Sequence, residues 1–571
     1  MTSLTRMISC MAAVMLSPGL AAPAFAQATL EVVTPVTSCA SLTAMGGQGN
    51  TITQAVETTS NGIPVCSVTG RIAPEINFQV LLPLKSWSQR YLQVGCGGLC
   101  GRITLESGAS AGCALLNDGG FVMAATDMGH SAQDESWGLD AQKRSDFAWR
   151  AQHLTAGAAR ALIRAFYGQD AAYSYFNGCS DGGREALMQA MRFPDDFDGI
   201  IAGAPAMLFQ VQNTLFHGWQ ARANTDAAGK IILTSARLPV LHKAVVAACD
   251  GLDGVRDGLI AQPALCEFDP ASITCADGAT DPATDPAACL TPAEAEVARK
   301  FYAGPQDAGN GAFLTAGQPL YGSELNWQGV YVADTPDGAI MSPMAALPVL
   351  RYLAFATENP DFQLKDLQFT TATLDALRPR HGLFDATNPD LSAFAEAGGK
   401  LILWHGLADP HIAPANTAAL HEAMIGQLGA DRVEGFERLY LLPGVSHCGG
   451  GEGPGNLNLL SAMMAWVETG AAPDAILTAT SPEASGFGQP DDMTGDVTGG
   501  PAGRRAPMAL PGVTPLPAMT RPAYPYPHVA RLNGTGDPTQ AASWTKGPAA
   551  PILRLRDWPG ADFFAPYEWL E

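Results

Sequence analysis

Short runs of β-branched and apolar residues alternate along this chain with stretches whose apolar positions recur at helical spacing. The runs at 77–82, 91–94, 121–126, 172–176, 199–202, 400–404 and 439–442 read as strands, each bounded by glycine, proline or polar turn residues. A long helix is expected from Asp146, read as a capping residue, to the stop signal Gly168, with Leu154, Ala158, Ala161, Ile163 and Ala165 on its apolar face. Strands alternating with helices in this way build a mainly parallel sheet covered by helices on both faces.

The alternation breaks between about 207 and 375, a stretch with four cysteines, an Asp/Gly-rich loop and the scattered aromatics Trp219, Tyr302, Trp327, Tyr331, Tyr352 and Phe355. The strand pattern resumes at Lys400, so this stretch reads as a lid domain inserted into an α/β core. The expected organisation is a first core part over 27–206, the lid over 207–375, a second core part over 376–546 and a tail over 547–571. Within the second part, 486–520 is rich in Gly, Pro and Asp and reads as an irregular loop. Residues 1–26 have the pattern of a secretory signal peptide: Arg6, an apolar run over 7–20, and Ala24-Phe25-Ala26 as cleavage site. No later run reaches the roughly 20 apolar residues of a spanning helix. The expected destination is secreted, extracellular or periplasmic.

Charge narrows the partners. The formal net charge is −22, with 33 basic against 55 acidic residues and no basic block. That argues against nucleic acid or an anionic membrane, both of which reward clustered Lys and Arg. Of the 12 cysteines, Cys10 leaves with the signal, and an exported chain oxidises most of the rest. No Cys-x-x-Cys pair has zinc spacing.

The chemistry lies in glycine-flanked loops after strands. The pattern Gly-x-Ser-x-Gly occurs at Gly108-Ala109-Ser110-Ala111-Gly112 and at Gly178-Cys179-Ser180-Asp181-Gly182, a weak signal by itself in a chain with 61 glycines. Only Ser180 stands between a strand and a good helix, as a nucleophile elbow must; Ser110 follows a polar stretch and reads as a loop serine. In the α/β-hydrolase order an acid and then a histidine follow, each at a strand end. Asp409 and His447 occupy those places, as orienting acid and base. His405, a rival base at its strand end, reads as lining the substrate pocket. An oxyanion would be held by the N–H groups of Asp181, at the start of the helix, and of Gly98, in the glycine-rich 95–101 loop after an early strand. Cys179 precedes the serine and Cys448 follows the histidine. Bonded together they would hold two Cα atoms within about 4.4–6.8 Å and so join the two loops.

With these residues in place, the chain resembles the tannase and feruloyl esterase family, which includes the bacterial hydrolase of mono(2-hydroxyethyl) terephthalate. The resemblance rests on Gly-Cys-Ser-Asp-Gly-Gly-Arg-Glu at 178–185, Phe-Pro-Asp-Asp-Phe-Asp-Gly-Ile at 193–200 and Asp-Gly-Leu-Asp-Gly-Val-Arg-Asp-Gly at 250–258. It continues through Gly-Gly-Lys-Leu-Ile-Leu-Trp-His-Gly at 398–406, Pro-Gly-Val-Ser-His-Cys-Gly-Gly-Gly at 443–451 and Arg-Pro-Ala-Tyr-Pro-Tyr-Pro at 521–527, covering roughly 36–546. It implies an α/β-hydrolase fold with a lid and a serine esterase for esters of aromatic acids (feruloyl, galloyl or chlorogenate type) working through an acyl-enzyme. Terephthalate monoesters or other aryl esters are the alternative substrates, and a non-catalytic calcium-stabilised binding protein is a more distant alternative. The small aromatic ester is the expected partner.

The resemblance further implies a structural Ca²⁺ in the lid, held by the carboxylates of Asp250, Asp253 and Asp257 and the carbonyls of Val255 and Leu259. Three hard oxygen ligands in eight residues suit that ion, although the segment is no EF-hand: counted from Asp253, position 12 is Ala264. It also implies the bridges Cys249–Cys266, Cys275–Cys289 and Cys39–Cys66. A C-terminal bridge frequent in the family is absent, with Tyr524 and Lys546 in its places. Cys96, Cys100 and Cys113 form an odd trio whose pairing stays open.

Overall fold

The computed structural model of the chain describes residues 26–47, 49–110, 112–276, 289–480, 510, 512–549, 553 and 555–571. The expected signal segment, Ala26 apart, and most of the expected 486–520 loop lie outside these residues. One sheet organises the rest. Its strands are β1 (Asn50–Ser60), β2 (Ile63–Ile72), β3 (Ile76–Pro83), β4 (Arg90–Val94), β5 (Phe121–Thr126), β6 (Tyr173–Cys179), β7 (Gly199–Gly203), β8 (Lys400–Gly406) and β9 (Glu437–Leu442). They lie in the order β1-β2-β3-β5-β4-β6-β7-β8-β9. The first three and β5 pair antiparallel, and from β5 onward every neighbour is parallel. All residues of β4, β7 and β9 are buried, as parallel strands covered on both faces must be.

All the anticipated strands are present. The hairpin β1–β2 was not anticipated, because β1 is rich in threonine and mostly exposed, without clean alternation. Its turn did carry a signal. Asn61 and Gly62 take φ 47° and 81°, and the register Ser60↔Ile63 leaves a two-residue loop, the Asn-Gly hairpin turn.

The long helix differs from expectation at its start. Asp140, not Asp146, caps the helical run, accepting the N–H groups of Gln142 and Lys143. Asp146 lies inside the run, at the head of a wider turn over Asp146–Arg150 that continues into α1 (Ala151–Tyr167). Gly168 ends it with φ 75°. The buried face is Ala151, Thr155, Ala158, Ala159, Leu162, Ile163 and Phe166; of the expected set Ala158 and Ile163 lie within it, Leu154 and Ala165 pack half-buried against the core, and Ala161 is exposed. The next helix, α2 (Asp181–Arg192), follows β6 after a single residue.

Between β7 and β8 the chain builds α3 (Leu238–Cys249) and α4 (Pro292–Ala303) around a core of its own, with Leu241, Val245, Phe301, Trp327 and Tyr331 at its centre, and then α5 (Ser342–Tyr352), whose Ala346, Val349 and Leu350 join the main core. Thr291 and Glu294 form a reciprocal capping box at the head of α4. After β8 come α6 (Pro414–Leu428) and, after β9, α7 (Leu459–Thr469). The C-terminal segment is tied to the body: Trp558, Phe563 and Phe564 are buried in the main core. Among the described residues no helix is long and apolar enough to cross a membrane.

One buried ion pair locks the sheet to α7. Arg90 of β4 donates to Glu468 through Nε (2.7 Å) and Nη2 (2.6 Å), with side chains 2% and 0% exposed. Tyr175 Oη donates to the same carboxylate at 2.8 Å. Replacing Glu468 by alanine strands a buried guanidinium, and we expect it to lower unfolding free energy by about 3–5 kcal/mol. Removing the exposed Arg164–Asp170 pair should change nothing measurable. Guanidinium chloride unfolding of both variants checks the contrast.

Candidate active site

Ser180 sits between the last residue of β6 and the first of α2, with φ 64° and ψ −124°. A serine pays for this left-handed reversal in strain, and the surroundings make it obligatory. A Cβ on Gly178 would lie 2.2 Å from the Gly182 carbonyl oxygen, and one on Gly182 would lie 2.8 Å from that of Cys96. The Ser180 N–H donates to the Gly203 carbonyl at 3.0 Å, and its own carbonyl accepts from Ala206 at 2.9 Å. Ser110 has no such frame. Its hydroxyl donates to the Ser107 carbonyl, and no histidine lines the cavity beside it.

Asp409 follows β8 and His447 follows β9, so neighbouring parallel strands deliver both to one end of the sheet. Gly406 permits the approach: a Cβ there would come within 2.2 Å of the Val445 carbonyl oxygen. His447 Nδ1 lies 2.7 Å from Asp409 Oδ2. A carboxylate only accepts, so Nδ1 carries the proton and Nε2 is left as the free base. Asp409 Oδ1 accepts the N–H groups of His411 (2.7 Å) and Ile412 (3.0 Å). Burial alone would raise this carboxyl, but His447 and His405 outweigh it and hold Asp409 far below the usual carboxylate range. It is an anion at neutral pH.

Cys179 and Cys448 are bonded, with Cα atoms 5.9 Å apart across 269 positions of sequence. The bridge therefore joins the residue before Ser180 to the residue after His447. Both Ser180 and His447 line a cavity of about 320 Å³, together with Gly97, Gly98, Leu99, Asp181, Met341, Met344, Ala345 and Ile412. Gly98 takes φ 65° in the loop after β4, and a Cβ there would meet nothing, so conformation rather than space calls for glycine. Asp181 is the first residue of α2, so its N–H has no partner within the helix. Its carboxylate points away, paired with the buried Arg184 at 2.6 Å.

His405 corrects an expectation. It is fully buried and does not line the cavity; its Nε2 donates to Asp409 Oδ2 at 3.0 Å and its Nδ1 accepts from Thr417 Oγ1 at 2.7 Å. Two other histidines take the place assigned to it. His411 lies with its ring centroid 4.9 Å from that of His447, and His217, from the lid side, lies 6.1 Å beyond His411. Burial, and then the nearby His447, pushes His217 down to about 4 and His411 well below its usual range, so both are neutral at neutral pH. The position of His411, two residues past Asp409, was the signal available for it; nothing local marks His217.

The remaining cysteines pair as Cys39–Cys66, Cys249–Cys266, Cys275–Cys289 and Cys96–Cys100, which leaves Cys113 as the buried thiol of the trio. At the expected calcium segment Asp250 accepts the N–H groups of Asp257 and Gly258, Asp253 that of Val255, and Asp257 that of Leu259. Arg521 Nη1 donates to Asp257 Oδ2 at 2.9 Å, while Asp253 Oδ2 is buried 3.8 Å from Arg521 Nη2, an ion pair too long to be a hydrogen bond. Burial, against the pull of Arg521 and aided by the neighbouring carboxylates, pushes Asp253 up to about 6. Three carboxylates against the guanidinium groups of Arg521 and Arg256 leave an excess of negative charge, which a divalent cation would offset. The donor atoms are not drawn together as a finished cage. Among the described residues, the cluster with ligand atoms all within 4.8 Å is Cys96, Cys100, Asp181 and Glu185, and its two sulfurs are bonded to each other.

Known proteins share the fold. A family model described as tannase and feruloyl esterase matches residues 60–546. The chain is 30% identical over 550 residues to mono(2-hydroxyethyl) terephthalate hydrolase of Piscinibacter sakaiensis, covering 83% of each. It is 31% identical over 430 residues to the protein named probable feruloyl esterase B-2 of Aspergillus flavus, covering 70% of this chain and 76% of that one. The crystal structure of feruloyl esterase B from Aspergillus oryzae superposes with a TM-score of 0.73 at 24% identity, over 89% of this chain and 99% of the other. Tannin acyl hydrolase from Aspergillus niger gives 0.61 at 22%, over 88% and 92%. At these identities the two structures speak for the shared α/β-hydrolase fold.

The bridge between the two loops yields a prediction. Alanine at both Cys179 and Cys448 should cost on the order of a hundredfold in ester turnover at a temperature where circular dichroism shows the variant folded, because misplacement by about 1 Å has that effect. Wild-type turnover in the folded variant would reduce the bridge to a stability element.

Proposed function

The chain belongs to the tannase and feruloyl esterase family and is an ester hydrolase, and within that class we propose that it is a secreted serine esterase for carboxylic esters of aromatic acids, of feruloyl, galloyl or chlorogenate type. The observation that carries the reading is Ser180 on its strained elbow, tethered through Cys179–Cys448 to a histidine whose Nδ1 is held by a buried carboxylate.

In the reaction His447 Nε2 takes the Ser180 hydroxyl proton as Oγ attacks the ester carbonyl, and Asp409 stabilises the imidazolium that forms. The N–H groups of Asp181 and Gly98 receive the negative charge of the tetrahedral intermediate. His447 then returns the proton to the leaving alcohol, and a water deprotonated by the same nitrogen hydrolyses the acyl-enzyme. His405 holds the other flank of the Asp409 carboxylate and so fixes its orientation. Leu99, Met341, Met344 and Ile412 offer the aromatic acyl group an apolar wall. Neutral His217 and His411 and the amides of Gln212 and Asn213 supply polar contacts for ring substituents. Terephthalate monoesters are the second reading, favoured by the name of one relative and by Arg102 at the cavity, a cation that suits a second carboxylate. The bridged cysteines accord with export.

A calcium ion belongs to the proposal as a structural element. The carboxylates of Asp250, Asp253 and Asp257 would hold it with the carbonyls of Val255 and Leu259, and the unsatisfied Asp253 Oδ2 and the net charge of the site favour it. It would brace the lid and take no part in the chemistry.

Two outcomes follow. Ser180→Ala should lower turnover of methyl ferulate, methyl gallate, chlorogenate or mono(2-hydroxyethyl) terephthalate by several orders of magnitude, whichever is the substrate, while Ser110→Ala stays near wild type. Full activity in Ser180→Ala would end the mechanism. Chelation should lower the melting temperature more than it lowers turnover measured in the cold, since binding stabilises by linkage. An unchanged melting temperature in excess chelator, with no calcium by elemental analysis, would remove the ion from the account.

A further inference from the structure

The loop that offers the second oxyanion donor is short, glycine-rich and exposed to the cavity, and such a loop does not hold an N–H in place unaided. Its two ends are anchored differently. At the far end the Leu99 carbonyl lies 2.7 Å from His130 Nε2, and the His130 ring stacks on Trp137 with centroids 4.1 Å apart. Gly101 donates to the Asp127 carbonyl at 3.2 Å. At the near end the loop presses on α2: a Cβ on Gly95 would meet the Gly182 backbone at 2.6 Å. Between these ends, Cys96 and Cys100 are bonded with Cα atoms 5.5 Å apart, and the Cys100 N–H donates to the Gly97 carbonyl at 3.1 Å. Cys100 takes φ 61°, a conformation a cysteine adopts when its neighbours impose it.

Beneath the disulfide lies Glu185 of α2, 1% exposed. Its Oε2 accepts the Cys96 N–H at 3.3 Å and a hydrogen bond from Gln152. Its Oε1 lies 2.8 Å from Cys96 Sγ and 3.2 Å from Cys100 Sγ. A disulfide sulfur has no proton, so this contact is a hydrogen bond only if Glu185 is the donor, as a neutral carboxylic acid. Burial, reinforced by the Asp181 carboxylate, pushes Glu185 well above the ordinary carboxylate range, in agreement with that requirement. The acid is itself fixed from behind: Gln152 accepts from Gln93 of β4, which accepts from Tyr91.

We propose that Cys96–Cys100 seated on Glu185 is a positioning clasp for the oxyanion loop, closing the Gly97-Gly98-Leu99 turn and fixing its N–H donors against the helix that carries the other donor. The inference rests on the reading of Ser180 as nucleophile and of Gly98 as donor. Its loop closure spans 4 positions, against 14, 17, 27 and 269 for the other bridges, so it contributes least by constraining the unfolded chain. Its place beside the cavity is what distinguishes it. Glu185 and the two cysteines touch no reacting atom; they act through the backbone they hold.

The test uses Cys96→Ala/Cys100→Ala, Glu185→Leu and Glu185→Gln, with an aryl ester that the wild type hydrolyses. A misplaced oxyanion donor lowers kcat, so the double variant and Glu185→Leu should lose about 10- to 100-fold in kcat with KM within about twofold. Affinity for a trifluoromethyl ketone, which forms an oxyanion on the serine, should fall in parallel, while inhibition by the free aromatic acid stays as in wild type. Glu185→Gln keeps a donor and an acceptor where the acid has them, so it should retain kcat within about threefold. Wild-type kcat in the folded double variant would overturn the proposal, and so would equal kcat in Glu185→Gln and Glu185→Leu. Should the double variant not fold, the comparison of the two Glu185 variants decides alone. Ser180→Ala run beside them separates the two failures: activity there defeats the nucleophile itself, whereas an inactive Ser180→Ala with undiminished clasp variants defeats the clasp only.

Discussion

Ser180 sits at φ 64° between a strand and a helix, a reversal that costs a serine of order 1–3 kcal/mol and is imposed by everything packed around it. Gly178 and Gly182 have no side chain because the two segments meet backbone to backbone there, and Gly95 lets the next loop close over the same point. The reversal aims the hydroxyl out of the sheet and places the first N–H of α2 beside it. Parallel pairing of β6, β7, β8 and β9 then fixes which loops can reach that hydroxyl, since successive strands deliver their C-terminal ends to the same edge. The bond from Cys179 to Cys448 removes much of the freedom left between the two loops.

The electrostatics of the site follow from burial. Asp409 is a fully buried anion, and it survives because two histidines and two backbone N–H groups share its oxygens. The same burial keeps His217 and His411 neutral, and of the three histidines that line the cavity His447 is the one bonded to the Asp409 carboxylate. Arg184 performs a comparable service behind the elbow, pairing with Asp181 while its guanidinium lies 4.6 Å over the Phe147 ring. At the elbow and the triad, then, the two buried carboxylates of Asp181 and Asp409 are each compensated by a partner of their own.

Much of this was legible in the sequence because strand ends and glycines are local signals. The strands β3 to β9, the elbow, and the loops of Asp409 and His447 each announce themselves within about ten residues. What failed depended on contacts that no local pattern encodes. His405 and His411 flank Asp409, and only the packing of α6 shows that Thr417 takes the first while the second faces the cavity. His217 comes from the lid, nearly two hundred residues before Asp409. Asp146 looked like a cap because a capping residue and a buried helical aspartate paired with Arg150 read alike in one dimension. The Asn61-Gly62 turn is the opposite case, a clear local signal between strands too polar to suggest a core.

The central claim is that Ser180, and no other serine, is the nucleophile that His447 activates. Mass spectrometry of the protein after reaction with a fluorophosphonate tests it most directly, because the reagent records which oxygen attacks. The account predicts one adduct per chain, located on the peptide that contains Ser180 and absent when His447 is replaced by alanine. An adduct on the Ser110 peptide, or an active esterase that takes up no reagent, would contradict it.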